Sequence, residues 1–196
     1  MGEFDYDALY REKLKDAARG FSSNPVKKTA KRLAEILNPR GPDGRRKILD
    51  LGAGDGRHTL YFADKGFEVT AVDKSEPAIG ILEVMAKHNP RIHPVRADIT
   101  QIELLPEEQF DAAICTYVMQ DLSQPQAIAV AEYVREHVIK GGYLVAAVFL
   151  GKYKSIFHKH IQPLFQGWST IKEEKGKTQT VALCNYDTLE ILLQKK

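Results

Sequence analysis

The sequence contains only two cysteines, Cys115 and Cys184, among its 196 residues. Two cysteines cannot form the disulfide framework of a small secreted domain, and their spacing does not match a metal-binding pattern. The longest apolar run, Tyr143–Leu150, is far shorter than the roughly 20 residues that a helix needs to cross a bilayer. Residues 1–10 lack a signal-peptide core. These absences predict a cytoplasmic protein with no membrane span and no metal site, in which Cys115 is a small core residue.

The sequence also lacks a strong excess of either charge. Its 28 lysine and arginine residues against 26 aspartate and glutamate residues give a formal net charge of +2. So small an excess does not require a polyanionic partner, and nucleic-acid binding is not expected. The hydrophobic share of 43% and the charged share of 28% are typical of a globular protein, and the length fits one domain, 1–196, with a sizeable core.

A glycine-rich stretch organises the rest of the chain. Residues 47–58 read Lys-Ile-Leu-Asp-Leu-Gly-Ala-Gly-Asp-Gly-Arg-His. Residues 48–51 form a short apolar run that is typical of a buried parallel strand, and a helix pattern follows the glycines. A strand, a glycine turn and a helix cradle nucleotide-like cofactors in α/β proteins, because glycine lets the backbone turn tightly and approach a ligand closely. The stretch therefore predicts a cofactor site.

The spacing of the glycines indicates which cofactor binds. A dinucleotide fingerprint, G-x-G-x-x-G, would require glycine at the position of Arg57. The third glycine is instead Gly56, which gives Asp-x-Gly-x-Gly-x-Gly from Asp50. This pattern resembles motif I of the class I S-adenosylmethionine (SAM)-dependent methyltransferases, whose loop packs against the methionine part of SAM. An ordinary glycine-rich turn in another doubly wound protein is the alternative interpretation.

Acidic residues end the next two predicted strands. Asp73 lies 17 residues after Gly56, where a carboxylate can accept two hydrogen bonds from a ribose diol. Its alternative roles are to cap the next helix, which Ser75, Glu76 and Pro77 open, or to be a solvated acid in the loop. Asp98 ends the third strand, and the resemblance implies that it accepts the adenine amino group while the backbone N–H of Ile99 meets a ring nitrogen.

Hydrophobic periodicity predicts the other elements. Helices are expected over 4–18, 25–37, 77–89, 125–138 and 153–165, with Asn24 and Pro25 opening the second and Gly141 and Gly142 ending the fourth. Strands are expected over 48–51, 67–73, 92–97, 110–117 and 143–149, and three more over 168–174, 178–183 and 188–193. The resemblance implies a Rossmann-like α/β fold: a seven-stranded, mostly parallel sheet with helices on both faces. Two of the last three strands would form its antiparallel C-terminal hairpin.

Within the class, residues 50–73 resemble the tellurite-resistance (TehB-like) and thiopurine-type branch of small-molecule methyltransferases. The most telling pieces are Gly-Arg-His-Thr-Leu-Tyr at 56–61, Gly-Phe-Glu-Val at 66–69 and Phe-Gln-Gly-Trp at 165–168. Tellurite-type members tend to carry a His/Arg-rich stretch before the last strand. Here 176–180 reads Gly-Lys-Thr-Gln-Thr, so tellurite itself is not the expected acceptor.

The predicted site follows from these motifs. The cofactor-binding candidates are Asp50, Gly52, Ala53, Gly54, Gly56, Arg57, Asp73, Lys74, Asp98, Ile99, Thr116 and Tyr117. The substrate-site candidates are Tyr6, Tyr10, Arg11, Phe21, Tyr117 and Gln120. The first four belong to residues 1–24, which are expected to form a helical lid because this segment commonly folds over the cofactor in such small enzymes. Helix packing for Tyr10 and Phe21, and a surface ion pair for Arg57, remain the alternatives.

The expected activity is transfer of a methyl group from SAM to a small molecule by in-line displacement, which also yields S-adenosylhomocysteine (SAH). A sulfonium is already a strong electrophile, so alignment and exclusion of water should suffice without a strong general base. Methylation of RNA or protein is one alternative, and a nucleotide-binding module of the NAD type is another. The sequence fixes neither the acceptor nor the oligomeric state.

Overall fold

The computed structural model describes residues 5–17, 25–41, 44–149, 157–179 and 185–196. Its helices are α1 (Tyr6–Ala17), α2 (Lys28–Ile36), α3 (Arg57–Asp64), α4 (Glu76–His88) and α5 (Gln124–His137). Its strands are β1 (Arg40–Gly41), β2 (Gly44–Arg45), β3 (Lys47–Leu51), β4 (Glu68–Asp73), β5 (Ile92–Arg96), β6 (Phe110–Thr116), β7 (Val138–Phe149), β8 (Ser169–Gln179) and β9 (Asn185–Gln194). Within these residues, no helix is both long and apolar enough to cross a membrane.

Strands β3 to β9 form a seven-stranded sheet in the order β5-β4-β3-β6-β7-β9-β8. The pairs β3/β4, β4/β5 and β6/β7 are parallel, whereas β9 runs antiparallel to both β7 and β8. The predicted α/β sheet with an antiparallel C-terminal hairpin is therefore confirmed. Strands β1 and β2 form a separate two-residue hairpin.

The chain divides into two compact units. The first comprises Met1–Val26 and Asn38–Leu105, and it contains β3, β4 and β5 with α1, α3 and α4. Strands β3 and β4 are mostly buried, with Leu49 and Val69 at 0% exposure, as expected where helices cover a parallel sheet, whereas β5 at the sheet edge is largely half-buried or exposed. The parallel register ends β4 one residue beyond the last pair, Leu51 and Val72. Strand β4 therefore extends by one residue, Asp73, beyond its pairing with β3.

The second unit comprises Lys27–Leu37 and Pro106–Lys196 and contains β6 to β9 with α2 and α5. A capping box between Ser123 and Gln126 begins α5. Cys115 is 1% exposed, as predicted for a core residue; Cys184 lies outside the described residues.

The predicted start of α2 is wrong, and so is the predicted role of Gly141 and Gly142 as the stop of α5. Helix α2 begins at Lys28 with an extended Lys27 as its N-cap, so Pro25 precedes the helix and does not lie in its first turn; Asn24 lies outside the described residues. Helix α5 ends at His137, and Gly141 and Gly142 lie inside β7. Glycine at position 142 allows β7 to pack closely on β6, because a Cβ there would lie 2.7 Å from the carbonyl oxygen of Asp111.

The tail also differs from its prediction. Of the predicted helix 153–165, the described part is a π-helical turn, Phe157–Ile161, followed by a 3-10 turn, Gln162–Phe165. Two long strands replace the three short ones, since β8 runs on to Gln179 and pairs with β9 along its length. Residues 180–184 lie outside the described residues.

Candidate cofactor site

A turn of three glycines follows β3 in the first unit. Gly52, Gly54 and Gly56 have φ of +67°, +57° and +73°, which is the left-handed region that glycine adopts without a steric penalty. The backbone N–H groups of Gly52 and Ala53 both donate to the carbonyl oxygen of Val72, at 2.8 and 3.0 Å. The turn is thus fastened to the end of the neighbouring strand β4, and Gly56 leads directly into α3.

The carboxylate of Asp73, at the end of β4, faces this turn. Its Oδ2 accepts from the N–H of Gly54 at 2.8 Å, and its Oδ1 accepts from the N–H of Ser75 at 2.9 Å. Burial raises the pKa of Asp73, and the hydrogen bonds from Ser75 and Gly54 and the charge of Lys74 offset only part of that rise. Each carboxylate oxygen keeps a second lone pair, so the group is oriented and can still accept from a ligand.

Asp50 has a partner that the sequence did not reveal. Its carboxylate is 2% exposed, and its Oδ2 accepts from the Thr59 hydroxyl at 2.7 Å. Burial raises the pKa of Asp50 to about 6, although the Thr59 hydrogen bond and the charge of Arg57 oppose the rise. The bond ties the end of β3 to α3, which fixes both sides of the glycine turn.

Asp98 lies just after β5, the neighbour of β4. Its Oδ1 accepts from both the N–H and the hydroxyl of Thr100, at 2.9 and 2.8 Å. Partial burial raises the pKa of Asp98, but these two bonds and the Lys74 charge outweigh it, so the net pKa lies below its usual range. The N–H of Ala97 donates to the carbonyl oxygen of Asp73 at 3.1 Å. The structure therefore brings the predicted ribose and adenine acids to one edge of the sheet, beside the buried Ile99.

Helix α1 lies over the glycine turn. A Cβ built on Gly54 would lie 2.6 Å from the hydroxyl oxygen of Tyr10, so the phenol covers the face of this glycine. Burial and the carboxylates of Asp73 and Asp55 raise the pKa of Tyr10 above its usual range; the hydroxyl is therefore neutral. Lys13, one turn further along α1, forms an ion pair with Asp55 in the turn.

The other N-terminal candidates lie away from the turn or outside the described residues. Tyr6 stacks on Tyr10 with ring centroids 6.4 Å apart and is 42% exposed. Arg11 is exposed and approaches Asp7 at 4.0 Å. Phe21 lies outside the described residues.

The sequence did not point to the Lys13–Asp55 pair or to the Thr59–Asp50 bond. Asp55 stands between two glycines of the motif, so the sequence placed it in the turn. The sequence did not indicate that Lys13 is its partner, because Lys13 is 42 residues away along the chain and no sequence pattern pairs such residues.

The second unit carries the remaining candidates at the end of β6. Tyr117 has φ of +60°, a strained value for a residue with a side chain. Its ring stacks on Phe149 at 4.6 Å between centroids, and the Lys27 ammonium lies 4.5 Å from its centroid. Gln120 is 3% exposed and donates from Nε2 to the carbonyl oxygen of Tyr117 at 2.6 Å. Its Oε1 has no hydrogen-bond partner in the part of the chain that the structure describes. Thr116 is also buried.

Across the described ranges, no group of three or more histidine, cysteine, aspartate or glutamate side chains is arranged to hold a metal ion. The absence of a metal from the mechanism stays a prediction.

The seven-stranded sheet, the three-glycine turn and the acids that follow the next two strands define a class I methyltransferase fold. Residues 48–142 match a family model described as a methyltransferase domain. This part of the chain is therefore similar to methyltransferase domains, and the glycine turn, Asp73 and Asp98 all lie within the matched residues.

Two curated relatives show which methyltransferases the chain is similar to. It is 34% identical over 118 residues to the probable S-adenosyl-L-methionine-dependent methyltransferase TehB of Haemophilus influenzae, which covers 59% of this chain and 38% of TehB. It is 30% identical over 131 residues to the demethylmenaquinone methyltransferase of Renibacterium salmoninarum, covering 64% of this chain and 52% of the relative. The chain thus matches about two fifths to one half of the length of these relatives.

Solved structures confirm the fold. The crystal structure of Haemophilus influenzae TehB matches with a TM-score of 0.72 at 18% identity, covering 93% of this chain and 67% of TehB. The N-methyltransferase NodS of Bradyrhizobium japonicum, in complex with SAH, matches with a TM-score of 0.65 at 18% identity, covering 95% of this chain and 98% of NodS. The predicted resemblance to SAM-dependent class I methyltransferases of the TehB-like branch is confirmed, and SAM is the cofactor of this class of domain.

Proposed function

We propose that the chain is a SAM-dependent methyltransferase that acts on a small molecule. The observation that carries this proposal is the buried Asp73 carboxylate, held by the Gly54 N–H beside a turn with no side chain on its glycines. Because Gly54 has no side chain, other groups can approach the backbone of the turn closely, as the Tyr10 hydroxyl does, and the same space suits a ligand. The residues therefore fit the cofactor. When bound, SAM supplies an electrophilic methyl group, which the acceptor takes by in-line displacement.

The cofactor-binding roles are assigned to residues of the first unit. Asp73 would accept from the ribose hydroxyls, because its oxygens are fixed and anionic acceptors make the stronger hydrogen bonds. Asp98 would accept from the adenine amino group, with the N–H of Ile99 donating to the ring. Asp50 would act through Thr59 by fixing the turn. Arg57, the first residue of α3, would attract the carboxylate of the methionine part.

The chain's remaining task is to align the acceptor and exclude water. In the second unit, Tyr117 and Gln120 are proposed as acceptor-site residues. The strained Tyr117 is held between Phe149 and Lys27, and it in turn fixes the Gln120 carboxamide through its carbonyl oxygen. The Oε1 of Gln120 is then a fixed acceptor for an N–H or O–H group.

A small-molecule acceptor is supported by the near-neutral charge of +2 and by a relative named for demethylmenaquinone methylation. We propose that the enzyme acts in the cytoplasm and needs no metal ion.

A thermal-shift titration tests the cofactor assignment. A ligand that binds only the folded state stabilises it, by about 2.7 kcal/mol at 100 times its Kd. SAH should therefore raise the melting temperature, and NADH should not. Stabilisation by NADH alone would overturn the assignment in favour of a dinucleotide-binding protein.

Transfer of a radiolabelled methyl group from SAM tests the acceptor class. The label should pass to members of a panel of small thiols, phenols and amines. Transfer to RNA or protein, with none to the panel, would show that the small-molecule assignment is wrong while leaving the methyltransferase assignment intact.

A further inference from the structure

Helix α1 makes three contacts that place it on the glycine turn, residues 52–56, which we call the cofactor turn. Tyr10 covers Gly54, Lys13 pairs with Asp55, and Leu14 packs on Gly80 of α4. All of these residues belong to the first compact unit. These contacts set the distance between α1 and the turn and the position of α1 along the turn. Side-chain contacts therefore specify where the helix lies.

The Tyr10 contact occupies the space that the glycine turn keeps open. The hydroxyl oxygen lies 2.6 Å from the position of a Cβ on Gly54, and the ring carbon that bears it lies 3.2 Å from the same position. A ligand atom that packs on this face of Gly54 would need the same volume. Tyr10 and a ligand on Gly54 therefore exclude each other.

The Lys13 contact places a cation on the turn. Lys13 retains 30% of its side-chain exposure and Asp55 only 11%, so the acid is largely removed from water and its charge is compensated by α1. The methionine part of SAM also carries an ammonium group. Helix α1 thus places the phenol of Tyr10 and the ammonium of Lys13 on the turn. A bound SAM would bring an ammonium group of its own to the same place.

The Leu14 contact sets how closely α1 approaches α4. A Cβ on Gly80 would lie 3.1 Å from the nearest methyl carbon of Leu14, so glycine at position 80 lets Leu14 pack closely on the α4 backbone. Gly80 lies inside α4, where alanine would be the better helix former. Glycine at position 80 therefore favours close packing of α1 on α4 and lowers the helix propensity of α4.

We propose that α1 is a gate: it covers the cofactor turn through Tyr10 and Lys13, and these side chains must leave Gly54 and Asp55 before the cofactor binds. This inference rests on the proposed function, because it takes the glycine turn as the cofactor site. It differs from a lid that folds over bound cofactor, since here cofactor binding releases the helix.

Amide hydrogen exchange distinguishes a gate from a lid. Saturating SAH should make the amides of Tyr6–Ala17 exchange faster, while those of β3 and β4 become more protected. Slower exchange in Tyr6–Ala17 with SAH would overturn the gate, because it would show that α1 closes over the ligand.

Association kinetics supply a second test, measured by stopped-flow with SAH. Tyr10→Ala and Lys13→Gln should each raise the association rate constant several-fold, and Lys13→Arg should keep the wild-type rate because it keeps the ion pair. Lys15→Gln is the matched control: it removes one positive charge from an exposed position of the same helix and should leave the rate unchanged.

Leu14→Ala removes the contact with Gly80 without touching the turn and serves if the Tyr10 variant does not fold. It should also raise the association rate, because α1 loses its packing on α4. SAH association at the wild-type rate in folded Tyr10→Ala and Leu14→Ala proteins would overturn the gate alone. Failure of wild-type protein to bind SAH at any concentration would instead overturn the proposed function.

Discussion

The backbone N–H of Gly54 donates to Oδ2 of Asp73 across 2.8 Å. One residue lies in the turn after β3 and the other ends β4, so a single bond joins two neighbouring strand ends. The second oxygen of Asp73 is held by Ser75. A buried N–H is thereby satisfied, and the carboxylate cannot rotate away from the turn.

Replacing this carboxylate should weaken cofactor binding. Asp73→Ala removes a charge-assisted hydrogen-bonding group and should reduce SAH affinity by about 2–4 kcal/mol, measured by isothermal titration calorimetry. Glu76→Ala is the control, because it removes a nearby carboxylate that is 77% exposed. Equal SAH affinity in wild type and Asp73→Ala would show that the ribose site lies elsewhere.

A side chain on the glycine turn should lower stability for two separable reasons. Gly54→Ala forces a left-handed φ on a residue with a Cβ, at about 1–2 kcal/mol, and drives that Cβ against Tyr10. Urea unfolding should therefore show a loss greater than the backbone strain alone.

The same substitution in a Tyr10→Ala background isolates the contact. The loss caused by Gly54→Ala should shrink there to the backbone part, because the hydroxyl group that opposes the Cβ is gone. An identical loss in both backgrounds would contradict the contact between α1 and the turn.

Asp50 should make stability depend on pH. Its pKa is raised from 3.8 to about 6 by burial, so between those values the folded protein binds more protons than the unfolded chain. Stability should therefore fall as pH rises from about 4 to about 6 and level off above.

Asp50→Asn should remove that share of the pH dependence, since asparagine keeps an oxygen for the Thr59 hydroxyl but does not ionise. Asp73, whose pKa burial also raises, is present in both proteins and does not affect the comparison. Urea unfolding between pH 4 and pH 7 measures the difference. Parallel curves for the two proteins would contradict a raised pKa at Asp50.

The elements near the cofactor turn were predicted well because their signals are local. An apolar run before Gly52 and another ending at Asp73 each encode a buried strand within a few residues. The start of α2 and the role of Gly142 were less predictable. Pro25 resembles a first-turn proline, yet α2 begins at Lys28. Gly142 resembles a helix stop, yet it lies in β7, where a Cβ would collide with the carbonyl oxygen of Asp111.

The sequence by itself determined the strand, glycine turn and helix around Gly54 and the acid after the next strand, because chain connectivity and backbone sterics impose them on neighbouring residues. Only the tertiary structure decided which distant side chains contact each other, at the turn and elsewhere. Lys13 reaches Asp55 from 42 residues away, and Thr29 approaches Glu190 from 161 residues away. Such contacts arise when distant segments bury their surfaces together, and no spacing rule along the chain encodes which side chains then touch.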